Sequence, residues 1–140
     1  MTSLPQPVCL KVEELGNLGC VDLKAYDADA GNARVTRAGR VSVAKFRGRT
    51  YNFRASPWAN PYVVGVGARK YTLEKSLALY RAHLDKLLAD PHNAEQFAQL
   101  ATKKTIGCYC PLPSEPGAEP RCHRDIILER LQQLQNEREK

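Results

Sequence analysis

Apolar and polar positions alternate in some stretches of this chain and recur at helical spacing in others. Val8 to Val12 reads as a short strand, and Gly16 and Gly19 punctuate a turn after it. Val21, Leu23 and Ala25 alternate with polar residues, and Tyr26 extends a half-buried strand pattern. Asp27 to Asn32 is a turn, Val41 to Phe46 a strand, residues 47–49 a second turn, and Tyr51 to Arg54 an extended segment. Pro57 and Pro61 exclude a helix from Arg54 to Gly65, since each lacks an amide donor and pushes its predecessor toward extended geometry. The spacing then becomes helical. Leu73, Leu77, Tyr80, Leu84 and Leu87 or Leu88 form one stripe, with Thr72 placed to cap it and Pro91 to stop it. A shorter helix is expected over Asn93 to Leu100 and a strand over Thr105 to Cys110. A loop holding Pro111, Pro113, Pro116 and Pro120 leads to a final helix that begins near Cys122 or His123 and carries Ile127, Leu131 and Leu134, with residues 135–140 as its fraying polar end. These elements predict a single-domain α/β sandwich, with a mixed sheet of about four to six strands and two or three flanking helices.

At 140 residues and 43% hydrophobic content, the chain is long and apolar enough for one domain with a core of its own. It has no apolar run long enough for a membrane span, and Met1 to Leu10 lacks the pattern of a secretory signal, so a cytoplasmic or nuclear protein with no membrane partner is expected. Five cysteines, an odd number, favour reduced thiols or metal ligands over a disulfide framework. The net charge of +6 is unevenly placed. Between Ala30 and Tyr71 there is no acid, while Arg34, Arg37, Arg40, Lys45, Arg47, Arg49, Arg54, Arg69 and Lys70 all fall there. Such a block suits a nucleic acid or nucleotide, or a larger acidic assembly; a solvated basic surface is the plainer alternative.

Cys108, Cys110, Cys122 and His123 gather where the last strand hands over to the last helix, which is where open α/β sheets bind ligands. Three readings stand side by side. All four residues are ligands of a metal, most simply zinc, although alternate strand positions lie roughly 6.6 Å apart and must bend to converge. Alternatively Cys110 or Cys122 is a nucleophilic thiolate, His123 its acid or base, and Asp125 the group that orients the imidazole. In the third reading the cysteines simply pack and His123 caps the helix. A second constellation is Arg54, Trp58 and Asn60 on the proline-locked loop. It reads either as a stacking platform with a hydrogen-bonding amide for a base, or as a core tryptophan with an asparagine that fixes its own turn.

The segments "RASPWANPY" (54–62), "YRAHL" (80–84), "TIGCYC" (105–110) and "CHRDIILERL" (122–131) occur in the order characteristic of one family. Over residues 41–134 the chain resembles domain of unknown function 4326, a family of microbes and their viruses. The resemblance implies that Trp58, Asn60, Pro61, Cys108, Cys110, Cys122, His123 and Asp125 are family positions. Ala59 and Arg124 replace family glycines, Tyr62 and Tyr109 replace other aromatics, and the loop after Cys110 is longer. It also implies an organisation of residues 1–40 as an N-terminal extension packed on a domain of residues 41–140. The reading that follows is a nucleotide- or nucleic-acid-directed domain with a Cys/His site, metal- or thiol-dependent. Its alternative is a zinc-stapled, non-catalytic module that docks on nucleic acid or a larger complex.

Overall fold

Leu77, Tyr80 and Leu84 are buried along one face of a helix, Leu73–Leu88, in a computed structural model that describes residues 4–42, 49–65, 70–109 and 122–138. The elements in chain order are β1 (Gln6–Cys9), α1 (Val12–Asn17), α2 (Leu23–Ala28), β2 (Asn32–Arg34), β3 (Gly39–Ser42), β4 (Thr50–Phe53), α3 (Leu73–Leu88), α4 (Pro91–Ala98), β5 (Thr105–Cys108) and α5 (His123–Arg138), with a 3-10 turn over Gln99–Thr102. The Thr72 side chain accepts from the Lys75 amide and starts α3. Asp90 accepts from the His92 amide, and Pro91 takes the first helical position of α4, where its missing N–H is no loss. One proline thus closes off α3 and opens α4.

The strands divide between two sheets. β1, β5 and β2 form a parallel sheet in that spatial order, and β3 and β4 form an antiparallel pair. β5, the last strand among the described residues, is therefore the central one. Residues 6–9 and 32–34, within the stretch expected as an extension, supply both of its neighbours.

Parallel strands need cover on both faces. One face carries Ile106, Cys108 and Val35, packed with Trp58, Tyr80, Phe97, Ile127 and Leu131 from α3, α4, α5 and the proline loop. The other carries Val8 and Leu10 with Leu15, Leu23, Tyr26 and Phe53 from α1, α2 and β4. On that second face the layers meet so closely that a Cβ on Gly107 would lie 2.6 Å from the Leu10 side chain and 2.8 Å from the Tyr26 hydroxyl. Only glycine fits the middle of β5.

The N-terminal third corrects two expectations. The segment over Val21, Leu23 and Ala25 is helix α2, not a strand, and the stretch around Gly16 is helix α1, not a turn; the turn comes at Gly19, whose φ is +80°. Asp22 decides the first case by accepting from the Ala25 amide at 2.9 Å, an N-cap that the alternating pattern hid. Leu23 and Tyr26, three apart, then share the buried face, whereas Val21 is exposed. Elsewhere α4 begins two residues before the expected Asn93, and α5 continues to Arg138. Residues 43–48 and 110–121, on which part of the expected strand, its turn and the four-proline loop fall, lie outside the described residues.

Candidate functional site

The site begins with the carboxyl end of β5. Cys108 is its final residue and points to the face that α5 covers. Cys122 immediately precedes α5 and His123 opens it. The Asp125 amide donates to the Cys122 carbonyl (3.0 Å) and the Arg124 amide to Cys122 Sγ (3.5 Å), so Cys122 stands where an N-cap residue stands, with sulfur as its acceptor.

Helix start and strand end bring Cys108, Cys122 and His123 together, with one donor atom from each inside a mutual distance of 4.8 Å. All three are buried. This is a group able to hold a metal ion. Cys110, the fourth expected member, lies outside the described residues.

The imidazole has a defined orientation. His123 Nε2 contacts the backbone carbonyl of Val35, and Nδ1 lies 3.4 Å from Cys122 Sγ. A carbonyl only accepts, so Nε2 carries the proton and Nδ1 presents its lone pair to the sulfur cluster. Fixing a histidine ligand through a carbonyl on its far nitrogen is how protein metal sites select a tautomer. Burial, above all, holds the His123 pKa below its usual value; the backbone contact and Cys108 oppose this, and the positive charges of Arg37 and Arg124 add to it. The ring therefore stays neutral at ordinary pH. Tyr80 packs edge-on against it, with ring centres 5.3 Å apart, and donates its own hydroxyl to the Trp58 carbonyl at 2.7 Å. Burial pushes the Tyr80 phenol far above its usual range.

Asp125, expected to orient the imidazole, is bonded elsewhere. It accepts from Arg124 Nε at 3.1 Å, and the Val35 carbonyl takes the orienting position beside His123. Arg124 is fully buried and also donates to the Val8 carbonyl at 3.2 Å, which ties the start of α5 to β1. Arg124 is thus a clamp beside the cluster.

The loop constellation is absorbed by the fold. Trp58 is 6% exposed and meets Phe97 edge-on at 5.1 Å, so its ring faces are covered by protein instead of being open to a base. Asn60 donates from Nδ2 to Ser76 Oγ (2.9 Å) and accepts at Oδ1 from the Tyr62 amide (2.9 Å), while Ser76 donates to the Tyr62 carbonyl (2.6 Å). These bonds pin the loop to α3. Arg54 is exposed, and its carbonyl accepts from Arg34 Nη1 at 3.0 Å.

A cleft of about 350 Å³ opens beside the cluster. Cys108 and His123 form part of its wall, together with Arg37, Arg40, Phe53 and Tyr109. Its described walls hold no acid. Arg37 is held in place by donating from Nε to the Asn60 carbonyl at 2.7 Å. Arg37 and Arg40 belong to the basic block but had no mark in the sequence that set them apart from its other members. The Val35 carbonyl, being backbone, left no mark at all. A smaller hollow between α3 and α5, about 190 Å³, is lined by Arg81, Asp85, Glu129 and Arg130, charges that pair with one another. No helix among the described residues is long and apolar enough to cross a membrane.

No curated protein and no solved structure matches the chain. A family model does, over residues 29–133, a match that begins upstream of the motifs and takes in β2, the edge strand whose next residue, Val35, holds His123. With three quarters of its length inside that match, the chain belongs to the family described as domain of unknown function (DUF4326).

Proposed function

We propose that this domain binds a nucleotide-sized, phosphate-bearing ligand in the cleft, above a zinc ion held by Cys108, Cys122 and His123. The observation that carries this reading is that two of the three metal-competent residues and two arginines line one cleft whose described walls hold no acid. Its volume lies in the range of small-ligand pockets, roughly 300–1,000 Å³. It sits at the carboxyl ends of parallel strands and beside a helix N-terminus, where α/β proteins bind phosphates. Two thiolates and an imidazole suit zinc by softness and by number. In a tetrahedral zinc site a sulfur and a nitrogen ligand stand roughly 3.6 Å apart; Cys122 Sγ and His123 Nδ1 are 3.4 Å apart.

The test is elemental analysis of chain purified without chelator or affinity tag, followed by calorimetry with a nucleoside monophosphate. About one zinc per chain is expected, lost in the Cys108→Ser, Cys122→Ser double variant. Nucleotide binding should weaken about 10-fold or more in Arg37→Ala, the value of one charge-assisted contact. Absence of metal, or binding indifferent to Arg37, overturns the reading. A second reading is favoured by the burial of all three donors: a closed zinc staple in a module that docks on nucleic acid or a larger assembly through its basic surface. It predicts zinc without nucleotide binding.

A further inference from the structure

We infer that the metal centre is open on the cleft side, and that its fourth position takes a phosphate oxygen steered there by Arg37. The inference rests on the zinc reading above and deepens it by naming the ligand atom and the residue that delivers it.

Direction comes first. Of the three donors, Cys108 and His123 line the cleft, whereas Cys122 is not among its described walls. Cys122 is 2% exposed and lies against the start of α5. An ion held by these three has helix and sheet behind it and the cleft before it. Three donors among the described residues leave a tetrahedral zinc ion one vertex, which an open site gives to solvent or substrate.

Charge comes second. Two thiolates and a neutral imidazole cancel a divalent ion, so the centre exerts little long-range pull on an anion. The pull must come from elsewhere, and Arg37 and Arg40 on the same cleft supply it. The Arg37 guanidinium is tethered by the Asn60 carbonyl, and Asn60 is itself bonded to Ser76 of α3. The loop that buries Trp58 thereby acts as a bracket for the arginine. A guanidinium fixed in this way loses little entropy on binding a phosphate.

Cobalt(II) tests this, because its visible spectrum reports coordination directly. Metal-free full-length chain is loaded with Co²⁺ and titrated with inorganic phosphate and with adenosine monophosphate, using chloride to match ionic strength. The expected result is tetrahedral cobalt bands that shift saturably with either phosphate and not with chloride. Arg37→Ala should bind cobalt equally and need about 10-fold more phosphate for the same shift. Cys110→Ser should keep both the bands and the shift. Cobalt bands that ignore phosphate, or a phosphate response that appears only in Cys110→Ser, show a closed site and overturn the inference while sparing the metal reading. An unchanged phosphate requirement in Arg37→Ala overturns the role of that arginine. Failure to take up cobalt overturns the metal reading, and the inference falls with it.

Discussion

The two faces of the parallel sheet bury similar residues and use them differently. Each carries a tyrosine with no exposed surface. On the α3–α5 face, Tyr80 places one hydroxyl bond on the Trp58 carbonyl and its ring edge on His123, next to two thiols. On the α1–α2 face, the Tyr26 hydroxyl donates to the Ala33 carbonyl (2.8 Å) and lies 2.9 Å from Thr105 Oγ1, which donates to Asn32 Oδ1 (2.8 Å). Nearby, Arg34 lies over the Phe53 ring at 4.4 Å and pairs with Asp27, which also accepts from the Tyr51 hydroxyl. The second face is a closed polar network that joins strand, helix and hairpin. The first keeps a lone pair and two sulfurs pointed at one spot. Buried polar groups fix the fold on both faces, and one face holds in addition a Cys108, Cys122 and His123 group able to bind a metal.

The largest effect is expected at the tryptophan. Trp58→Ala should cost about 3–5 kcal/mol by emptying a core site between the loop and α4. Urea unfolding measures the loss, and metal content of the fraction that remains folded should match the parent. A variant of normal stability that has lost nucleotide binding would instead make Trp58 part of the ligand site and break the division drawn here.

Asp125→Ala comes next, at about 3 kcal/mol, because it leaves the fully buried Arg124 guanidinium without its carboxylate neighbour. An aspartate that merely oriented His123 would leave the melting temperature unchanged. Calorimetric melting of Asp125→Ala beside an Arg124→Met, Asp125→Ala double variant sharpens the point, since removing the charge should restore part of the loss.

The smallest effect belongs to the second face. Tyr26→Phe should cost about 1–2 kcal/mol at neutral pH and leave metal content and ligand binding untouched. Its clearest sign is alkaline. Burial, chiefly, pushes the Tyr26 pKa up to about 12. Unfolded tyrosine ionises near pH 10, so above that pH the unfolded chain releases a proton that the folded chain keeps. The contribution is complete below about pH 10 and disappears as pH rises toward about 12, a total of roughly 2–3 kcal/mol. Urea midpoints from pH 9 to 11.5 should fall more steeply in the parent than in Tyr26→Phe. A fall in zinc content in that variant would couple the two faces.

How legible each face was follows from the same contrast. The α3–α5 face announced itself, because long helices with one apolar stripe and a strand flanked by loops carry signals that tertiary packing seldom overrides. The α1–α2 face was misread at Val21 to Tyr26, where a six-residue helix has too few turns to establish a period and its cap, Asp22, resembles any turn residue. At the site, residue types were legible and partners were not. Cys108, Cys122 and His123 were singled out and do converge. Asp125 was the orienting group of the nucleophile reading, yet its bond runs to Arg124, and the backbone carbonyl of Val35, just after β2, occupies the expected place. Trp58 and Asn60 were marked as important by their types; their hydrogen bonds and burial make them scaffold, with Arg37 as the residue they position.

The central position of β5 has a consequence for synthesis. Cys9 of β1 is paired with Cys108, so among the described strands β1 has no partner until β5 has been made. At ~5–20 residues per second, the N-terminal segment waits about 5–20 s with an unsatisfied strand edge. Such non-local pairing is slow to form. β5 carries Cys108 and is made before Cys122 and His123, so a chain truncated before β5 lacks the metal-competent group and also the strand that pairs with β1.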